Sequence, residues 1–449
     1  MSISRIFDIS KRSLLSHQSA INTTAKNIAN VNTEGYKRRR VNLSQLGFGF
    51  SGLSGSMSPK GVDRIRQQFA ESQLWYENQN LGKYRTDEML LTRTEDIYGE
   101  PGDSGLANVL TEFWNSWNDL ANNPESQSVR SLVRDKGVLL ANTFNRLHSD
   151  LKNFQKQISV DVQEKVKQVN RLINQIRTIN EQMGVSASDD LLDQRDLIIS
   201  ELSQLLNIET RENQDGIVTV STSGQILVSG SDVNELDTEV STQDRALSVN
   251  VIFKFGNRPT NITSGELGSM IGVINEHIPE QIDQLNILAK SLSERVNAVH
   301  SSGYNLDGIT GIDFFKSGIT QADELKVSDA VLEDATLIAT SAAAEEAGDG
   351  SIAQSIFDIQ FESVVQNNTV ADFYNSLISR VGGRVKEAAF LSNSQEMVVQ
   401  NLQNERDAVS GVSLDEEMTK LIEYERAYQA AARMISSADE MIQTVLNLV

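Results

Sequence analysis

The chain has 449 residues, a formal net charge of −21 at pH 7 and no cysteine. A chain of this length is long for one domain and indicates about two to four domains. The negative charge argues against binding to nucleic acid phosphates, and the absence of cysteine excludes disulfides and thiolate chemistry. No apolar run reaches the roughly 18 residues that a membrane-spanning helix requires.

The first predicted element is an amphipathic helix over residues 2–31. Apolar residues recur in it at intervals of seven, and we call this set the N-terminal seam: Phe7, Leu14, Ile21 and Ile28. This spacing places them on one narrow stripe, of the kind that is buried against a partner helix. We therefore expect the N-terminal seam to be an assembly surface.

A basic run and a glycine-rich stretch follow this helix. Residues 37–40 are Lys-Arg-Arg-Arg, and we interpret them as a solvated face or a helix cap. Residues 47–56 are rich in glycine and serine, which is typical of a flexible linker. Apolar residues at helical spacing return at Val62 and continue to Tyr98, so a second helix is predicted there.

Three further helices are predicted before residue 207. Apolar residues between 106 and 120 step by four and three, and they include Phe113 and Trp117. A longer periodic stretch, from about residue 125 to Met183, predicts a nearly straight helix on the order of 90 Å long. Ser188 can cap a third helix. Such long elements indicate an elongated body instead of a compact enzyme.

The pattern changes from helical to β near residue 209. Short β-rich runs at 217–220, 225–228 and 247–255 are separated by Gly, Ser, Asn and Asp. They predict a small β-rich domain inserted into the helical body. Residues 319–350 are weakly patterned, and we group them with this insert.

Helical periodicity returns twice in the second half of the chain. Residues 278–299 keep an apolar heptad, and residues 370–391 resume the helical pattern after a capping pair, Thr369 and Asp372. Two consecutive glycines at 382–383 interrupt the second pattern, so the sequence leaves the continuity of that helix open.

The last predicted element is a helix from residue 414 to the end of the chain. Its apolar positions, at steps of three, four and seven, form the C-terminal seam: Leu414, Met418, Leu421, Tyr428, Ile435 and Ile442. The first 40 residues hold eight Lys and Arg against two acids, whereas the last 36 hold seven acids against three bases. Opposite charges beside two apolar seams favour their pairing. Two alternatives stay open: the seams complete the bundle of one chain, or they pack among copies of the chain.

Both ends also resemble the terminal signatures of bacterial flagellar axial proteins, the family of rod, hook and hook-associated subunits. Residues 27–38 read Asn-Ile-Ala-Asn-Val-Asn-Thr-Glu-Gly-Tyr-Lys-Arg, and the positions that carry the resemblance are Asn27, Asn30, Asn32, Gly35 and Tyr36. Residues 411–417, Gly-Val-Ser-Leu-Asp-Glu-Glu, and 428–433, Tyr-Gln-Ala-Ala-Ala-Arg, resemble the C-terminal signature. Residues 189–196, Asp-Asp-Leu-Leu-Asp-Gln-Arg-Asp, narrow the resemblance to the hook-associated branch, at the hook–filament junction.

The resemblance implies a structural subunit of the bacterial flagellum that joins hook to filament and assembles through its terminal helices. It implies export by the flagellar type III apparatus, with a transient cytoplasmic stage before an extracellular location. The implied partners are copies of the chain, the hook protein, the second hook-associated junction protein and an export chaperone that holds the C-terminal seam. Another axial protein, such as the second junction protein or a hook or rod subunit, is the alternative.

The expected fold is mainly α and elongated, with paired terminal helices, a long-helix body and a small central β domain. Residues 1–50 with 405–449 are assigned to a terminal coiled-coil domain, and 208–262 with 307–353 to the insert. The ranges between them form the helical body: 51–207, 263–306 and 354–404. We expect no enzyme, cofactor, metal, nucleic acid or membrane insertion, because the four histidines lack metal-ligand spacing and no nucleophile elbow is present.

Overall fold

The computed structural model describes residues 3–45, 57–102, 105–186, 188–213, 216–243 and 246–447. The predicted linker at 47–56 and the last residue of the C-terminal helix, Val449, lie outside the described residues. Most of the described chain is α-helical, with a small central region of antiparallel β-sheet, so the predicted fold class is confirmed.

The chain begins with α1 (Ile3–Ala29), which is followed by an antiparallel hairpin of β1 (Arg39–Gln45) and β2 (Met57–Arg64). The prediction of a helix from Val62 is wrong, because Val62 lies in β2 and pairs with Val41. Val62 and its partner Val41 are β-branched and suit a strand, and β1 lies on the other side of the predicted linker, where a local pattern does not show the pairing.

The helical body starts with four long helices, and these confirm the predicted order: α2 (Gln68–Tyr98), α3 (Leu106–Asn122), α4 (Gln127–Val185) and α5 (Asp189–Leu205). α4 contains 59 residues and is therefore about 90 Å long at about 1.5 Å per residue. Ser188 caps α5 as predicted, since its Oγ accepts the N–H of Asp190 at 3.3 Å.

Seven strands follow in the described residues: β3 (Glu209–Glu212), β4 (Val218–Thr222), β5 (Gln225–Ser229), β6 (Asp232–Val233), β7 (Leu236–Gln243), β8 (Ala246–Phe253) and β9 (Arg258–Pro259). They form two antiparallel sheets, one from β3 to β6 and one from β7 to β9. The predicted β-rich runs coincide with β4, β5 and β8. The other strands are short or polar, so they lack the apolar alternation that marks a half-buried strand.

Asparagine side chains attach these sheets to α4. The Asn170 carboxamide accepts the Leu236 N–H at 2.9 Å and donates to the Leu236 carbonyl at 2.8 Å. Asn180 makes the same pair of bonds with Val218, at 3.2 and 2.9 Å. Equivalent two-bond pairs join Asn275 to Val249 and Asn297 to Phe315. Each carboxamide thus satisfies the backbone N–H and C=O of one residue, as a neighbouring strand would.

Six further helices complete the described chain: α6 (Gly265–Gly272), α7 (Ile278–His300), α8 (Asp329–Glu333), α9 (Ser351–Asp358), α10 (Val370–Ser410) and α11 (Leu414–Asn447). One π-helical turn, Val273–His277, joins α6 to α7. Thr369 caps α10 as predicted, since its Oγ accepts the Asp372 N–H at 3.0 Å. α10 continues through the two glycines and packs beside α2.

An aromatic cluster holds the segment after α7 against the body. The Phe314 ring lies 5.1 Å from Trp117 and 5.9 Å from Phe113 on α3, between ring centroids. Gly137 on α4 makes room for this ring, because a Cβ there would lie 2.7 Å from it. The contacts of residues 314–340 with α3, α4 and α7 differ from the predicted grouping of this segment with the β-rich insert. The segment lacks periodicity, so its sequence did not indicate the surface it covers.

Arg130 on α4 binds the end of the segment 314–340. The side chain is fully buried, donates to the Pro124 carbonyl at 2.8 Å and to the Thr340 hydroxyl at 2.9 Å, and also reaches the Ile338 carbonyl. Burial lowers the pKa of Arg130 to about 10. Carbonyl and hydroxyl oxygens therefore take the place of a carboxylate partner around this cation.

His300, at the end of α7, is buried in one defined tautomer. Its Nε2 accepts the Ala339 N–H at 2.9 Å, and its Nδ1 lies 2.7 Å from the Ile312 carbonyl. Because Nε2 accepts, the proton is on Nδ1 and the ring is neutral. Burial lowers the pKa of His300 to about 4. Protonation of Nε2 would place two N–H donors against each other.

We expect His300 to make folding weaker at acid pH. The unfolded chain, with a histidine pKa of 6.5, binds more protons between pH 6.5 and about 4, so stability is lost as the pH falls through this window. The shift corresponds to about 3 kcal/mol. NMR of histidine-labelled protein should show a ring that stays neutral at about pH 5, and His300→Gln should remove that signal. A His300 ring that titrates near its ordinary pKa would contradict this assignment.

Candidate functional site at the base of the terminal helices

α1 and α11 pack as an antiparallel pair. Asn27, near the end of α1, bonds to Glu417, near the start of α11, and the His17 ring lies 6.4 Å from the Tyr424 ring. The contact is made mainly by small side chains. Among the described side chains, the buried ones are Ser10, Ser16, Ala20, Thr23, Thr24 and Asn27 on α1, and Glu417, Ala431 and Ala438 on α11.

The predicted seams lie at the edge of this contact. In the N-terminal seam Phe7 is exposed, and Leu14, Ile21 and Ile28 are half-buried beside the small-residue face. In the C-terminal seam the half-buried members alternate with Tyr424, Ala431 and Ala438: Leu421, Tyr428, Ile435 and Ile442. Leu414 and Met418 are exposed. The structure thus unites part of the C-terminal seam with α1 and leaves the N-terminal seam partly uncovered.

Asn27 joins both ends of the chain. Its Nδ2 donates to the Arg39 carbonyl and to Glu417 Oε2, each at 2.8 Å. Its Oδ1 accepts the Arg39 N–H at 3.1 Å and the Tyr36 hydroxyl at 2.9 Å. This side chain is buried, and four bonds satisfy the amide completely. Asn27 therefore links α1, β1 and α11 at one point.

The remaining signature residues shape the turn after α1. Gly35 has φ +79° and faces Leu197 on α5, where an added Cβ would lie 3.4 Å from the Leu197 Cβ. An L-residue is strained at this φ, which is why glycine fits the position. The Asn30 amide donates to the Lys26 carbonyl at 2.9 Å and supports the last turn of α1, whereas Asn32 is exposed.

The basic run is embedded in ion pairs, so its interpretation as a solvated face is wrong for three of its four residues. Lys37 pairs with Glu71 on α2. Arg38 reaches Glu416 at 2.7 Å and Glu417 at 2.8 Å on α11. Arg40 is exposed, as predicted. A run of like charges suggested solvent, but its acidic partners come from distant segments.

Arg39 and Arg64 extend the pairing to α5. Arg39 pairs with Asp190 and, at 3.3 Å, with Asp193. Arg64 Nε donates to Asp193 at 2.7 Å, and Arg64 Nη2 donates to Asp196 at 2.7 Å. Arg39 and Arg64 come from adjacent strands and are paired residues in the hairpin register. The two cations therefore contact one acidic face of α5.

Arg66 and Arg195 extend these ion pairs to β3, in the first sheet. Arg66 bonds Glu71 at 2.6 Å and Glu212, on β3, at 2.7 Å. Arg195, fully buried on α5, also bonds Glu212 at 2.9 Å. Together these residues form what we call the basal network: Lys37, Arg38, Arg39, Arg64, Arg66, Glu71, Asp190, Asp193, Arg195, Asp196, Glu212, Glu416 and Glu417.

The charges of the basal network shift one another's pKa values, against the effect of burial in some residues and along with it in others. Burial alone would raise the pKa of Glu71, but Lys37 and Arg66 lower it to about 2. Burial alone would lower the pKa of Arg64, but Asp196 and Asp193 raise it. Burial raises the pKa of Asp196, and nearby Glu71 adds to this effect. Each buried acid of the network thus depends on its arginines.

This arrangement can fix the direction of the terminal helices relative to the body. One buried cluster contacts α1, α2, α5, α11, the hairpin and β3, so these elements cannot rotate independently without separating buried charges. Within the described residues no group of His, Asp and Glu has the geometry of a metal site.

Sequence reasoning missed the roles of Arg64, Arg66, Glu71 and Glu212, although two signals were present. Arg64 and Arg66 are two residues apart, so they lie on the same side of an extended segment. The acids at 189, 193 and 196 are spaced by four and three, so they lie on one face of a helix. Together these spacings could have indicated a pair of complementary charged faces.

Profiles of known protein families match both ends and the helical body of the chain. The family profile "Flagellar hook-associated protein FlgK helical domain" matches residues 91–315. The profile "Flagella basal body rod protein" matches residues 14–37. The profile "Flagellar basal body rod FlgEFG protein C-terminal" matches residues 404–448.

Full-length relatives and one solved structure are also similar. Flagellar hook-associated protein 1 of Bacillus subtilis is 30% identical over 98% of this chain and 97% of the relative. That of Salmonella typhimurium is 25% identical over 96% of this chain and 97% of its own length. The flagellar hook junction protein FlgK from Burkholderia pseudomallei has the same fold, with a TM-score of 0.68 and 15% identity over 76% of this chain and 100% of that chain.

Proposed function

Since the chain belongs to the flagellar hook-associated protein 1 family and is a structural subunit of the junction between hook and filament, we propose that it assembles there through α1 and α11. Its similarity to the FlgK helical domain favours this family over the second junction protein and over hook or rod subunits. No described helix is long and apolar enough to cross a membrane.

The observation that carries the proposal is the distribution of apolar residues around α11. Leu414, Met418 and Ile422 are 47–48% exposed on one flank, and Met434 and Met441 are 49% and 41% exposed on the other. The face between these flanks packs on α1. A helix that is apolar on several sides is buried on several sides in its working state, whereas in the described part of one chain α11 packs on α1 along one side.

The basal network supports the same role. A subunit that joins two tubes must transmit force from its terminal helices to its body. The network connects α11 to α5 through Arg38, Arg39 and the turn between α1 and β1. Buried ion pairs with two or more partners resist rotation, because removal of one partner leaves an unpaired charge.

The proposal includes the partners and the location that the resemblance implies. The chain packs against copies of itself, the hook protein and the second hook-associated junction protein, outside the cell, after export by the flagellar type III apparatus. The division into a terminal domain, a helical body and a β-rich insert belongs to the proposal, with residues 314–340 moved to the body because of their contacts.

We expect α1 and α11 to become stable only in the junction. Their contact buries mainly small side chains, so it gains little apolar area in one chain. Hydrogen exchange of the dilute protein should be fast in α1 before Asn27 and in α11 after Tyr424, and slow between Phe113 and Leu206. Protection of both helices should develop in isolated junctions. Slow exchange along both helices of the dilute protein would contradict assembly-coupled folding.

An export chaperone is a further part of the proposal. Before assembly the apolar flanks of α11 would be exposed in the cytoplasm, where they favour aggregation and premature pairing. A helical chaperone that covers the C-terminal seam removes this risk by helix-in-groove recognition. Its anchors would be the seam residues at intervals of seven: Leu421, Tyr428, Ile435 and Ile442.

We expect a peptide of residues 414–449 to bind the cognate export chaperone in calorimetry. Tyr428→Ala with Ile435→Ala should remove most of the affinity, because both apolar anchors are lost. Gln429→Ala with Ser436→Ala, at neighbouring exposed positions, is the matched control and should bind normally. Equal chaperone affinity of the full chain without residues 414–449 would place the binding site elsewhere.

A further inference from the structure

α11 is longer than the partner helix it has within the chain. Asn27 is level with Glu417, and His17 is level with Tyr424. At this register Ile3, the first residue of α1, is level with about residue 440 of α11. α11 nevertheless continues to Asn447. We call its last turns, residues 441–447, the overhang.

The overhang continues the stripe that packs on α1. Leu446 follows Ile435 and Ile442 by steps of seven and four, so the three residues lie on one side of α11. Ile435 and Ile442 are half-buried, but Leu446 is 69% exposed. The exposure begins beyond Ile3, the first described residue of α1. Within the described part of the chain, the overhang therefore presents the apolar side of a two-helix contact with no second helix beside it.

The N-terminal seam is the complementary surface. Ile21 follows buried Ala20 by one residue, so the seam lies about 100° around α1 from the small-residue face. Phe7 is 39% exposed. The apolar residues of the seam recur every seven positions, which is the spacing on which the apolar stripe of another helix packs. Within one chain the overhang does not reach this surface, because Leu446 lies about 10 Å beyond the start of α1 along the axis.

Charge selects the same pair of surfaces. Asp439 is exposed beside the apolar stripe of the overhang, and Lys11 is exposed beside the N-terminal seam, within one turn of Phe7 and Leu14. An overhang on the N-terminal seam brings opposite charges together. Two overhangs against each other would bring the Asp439 carboxylates of both copies together, so that self-pairing is disfavoured.

We propose that the overhang of one copy packs on the N-terminal seam of a neighbouring copy. This contact rests on the proposed function and specifies which surfaces of the terminal helices meet. The two surfaces differ, so the contact is heterologous, and each copy offers one donor overhang and one acceptor seam. Such a contact propagates from copy to copy into a ring or a helical turn.

Site-specific photo-crosslinking in assembled flagella tests the contact. A benzophenone amino acid replaces Leu446, and the matched control carries it at Ile422, on another side of α11. We expect the Leu446 probe to give a product of two chains, with the crosslinked peptide inside residues 5–28 of the acceptor copy. The Ile422 probe should give several-fold less crosslinking to that peptide. Crosslinks from Leu446 only within its own chain, to another α11 or to a different axial protein would overturn the contact.

Charge exchange gives an independent readout. Lys11→Glu, and separately Asp439→Lys, should each lower the yield of the two-chain product several-fold. Combination of both changes should restore it, because the opposite charges are again paired. Unchanged yields would contradict the contact. If probes at Leu446 and at Met434 both crosslink to no other subunit, the proposed assembly through α11 fails as well.

Discussion

Replacement of Arg64 with methionine should lower the free energy of unfolding by about 3–5 kcal/mol, because it removes the cation from two buried carboxylates. Asp193 and Asp196 each accept an Arg64 bond at 2.7 Å, and their side chains are 9% and 5% exposed. Methionine keeps the length of the side chain and its apolar contacts. Chemical unfolding, followed through tryptophan fluorescence, to which Trp75 on α2 contributes, measures the loss.

The matched control is an arginine whose ion pair is in water. Arg85 and Glu396 are 2.9 Å apart with side chains 62% and 57% exposed, so Arg85→Met should cost at most about 1 kcal/mol. Asp196→Asn added to Arg64→Met should recover part of the loss, because it removes a buried carboxylate that has lost its closest cation. Equal effects of Arg64→Met and Arg85→Met would show that the basal network does not stabilise the fold.

A charge in either seam should abolish assembly and leave the body intact. Ile21→Glu and Ile435→Glu each place an unpaired carboxylate in a helix–helix contact, at a cost of several kcal/mol in the assembled state. Neither residue contributes to the continuous core of the body. We expect the melting temperature of the body to stay unchanged in calorimetry, while cells that express either variant lose motility.

Ile21→Val and Ile435→Val are the controls, because they keep an apolar β-branched side chain at each position. Both should support motility. A loss of body stability in the glutamate variants, equal to their loss of assembly, would assign the terminal helices to the core of the single chain. That outcome would favour the first of the two alternatives that the sequence leaves open.

Local patterns predicted the elements that depend on local spacing. The apolar period of α4, the Ser188 cap and the Thr369–Asp372 pair are each contained within one helix, so residues close in sequence were sufficient. The hairpin of β1 and β2 was missed because its two strands are joined through the stretch interpreted as a linker. Strands such as β7 were missed because their polar residues give no alternation.

The basal network was beyond local reasoning for a related reason. Arg64 and Asp193 are 129 positions apart, and Arg38 and Glu417 are 379 positions apart. The local sequence around a charged residue does not show whether its side chain is in water or beside a buried partner. The family signature did mark Asn27 and Gly35, but the reason for these residues, a four-bond amide and a left-handed turn, required the structure.

Electron microscopy of flagella from cells that lack this chain tests assembly through the terminal helices most directly. The cells are complemented with the unchanged chain, with Ile435→Val or with Ile435→Glu. We expect filaments on the hooks of the first two strains, and bare hooks with filament protein in the medium for the third. Normal filaments on the hooks of cells that make only the Ile435→Glu chain would contradict the proposed role of α11.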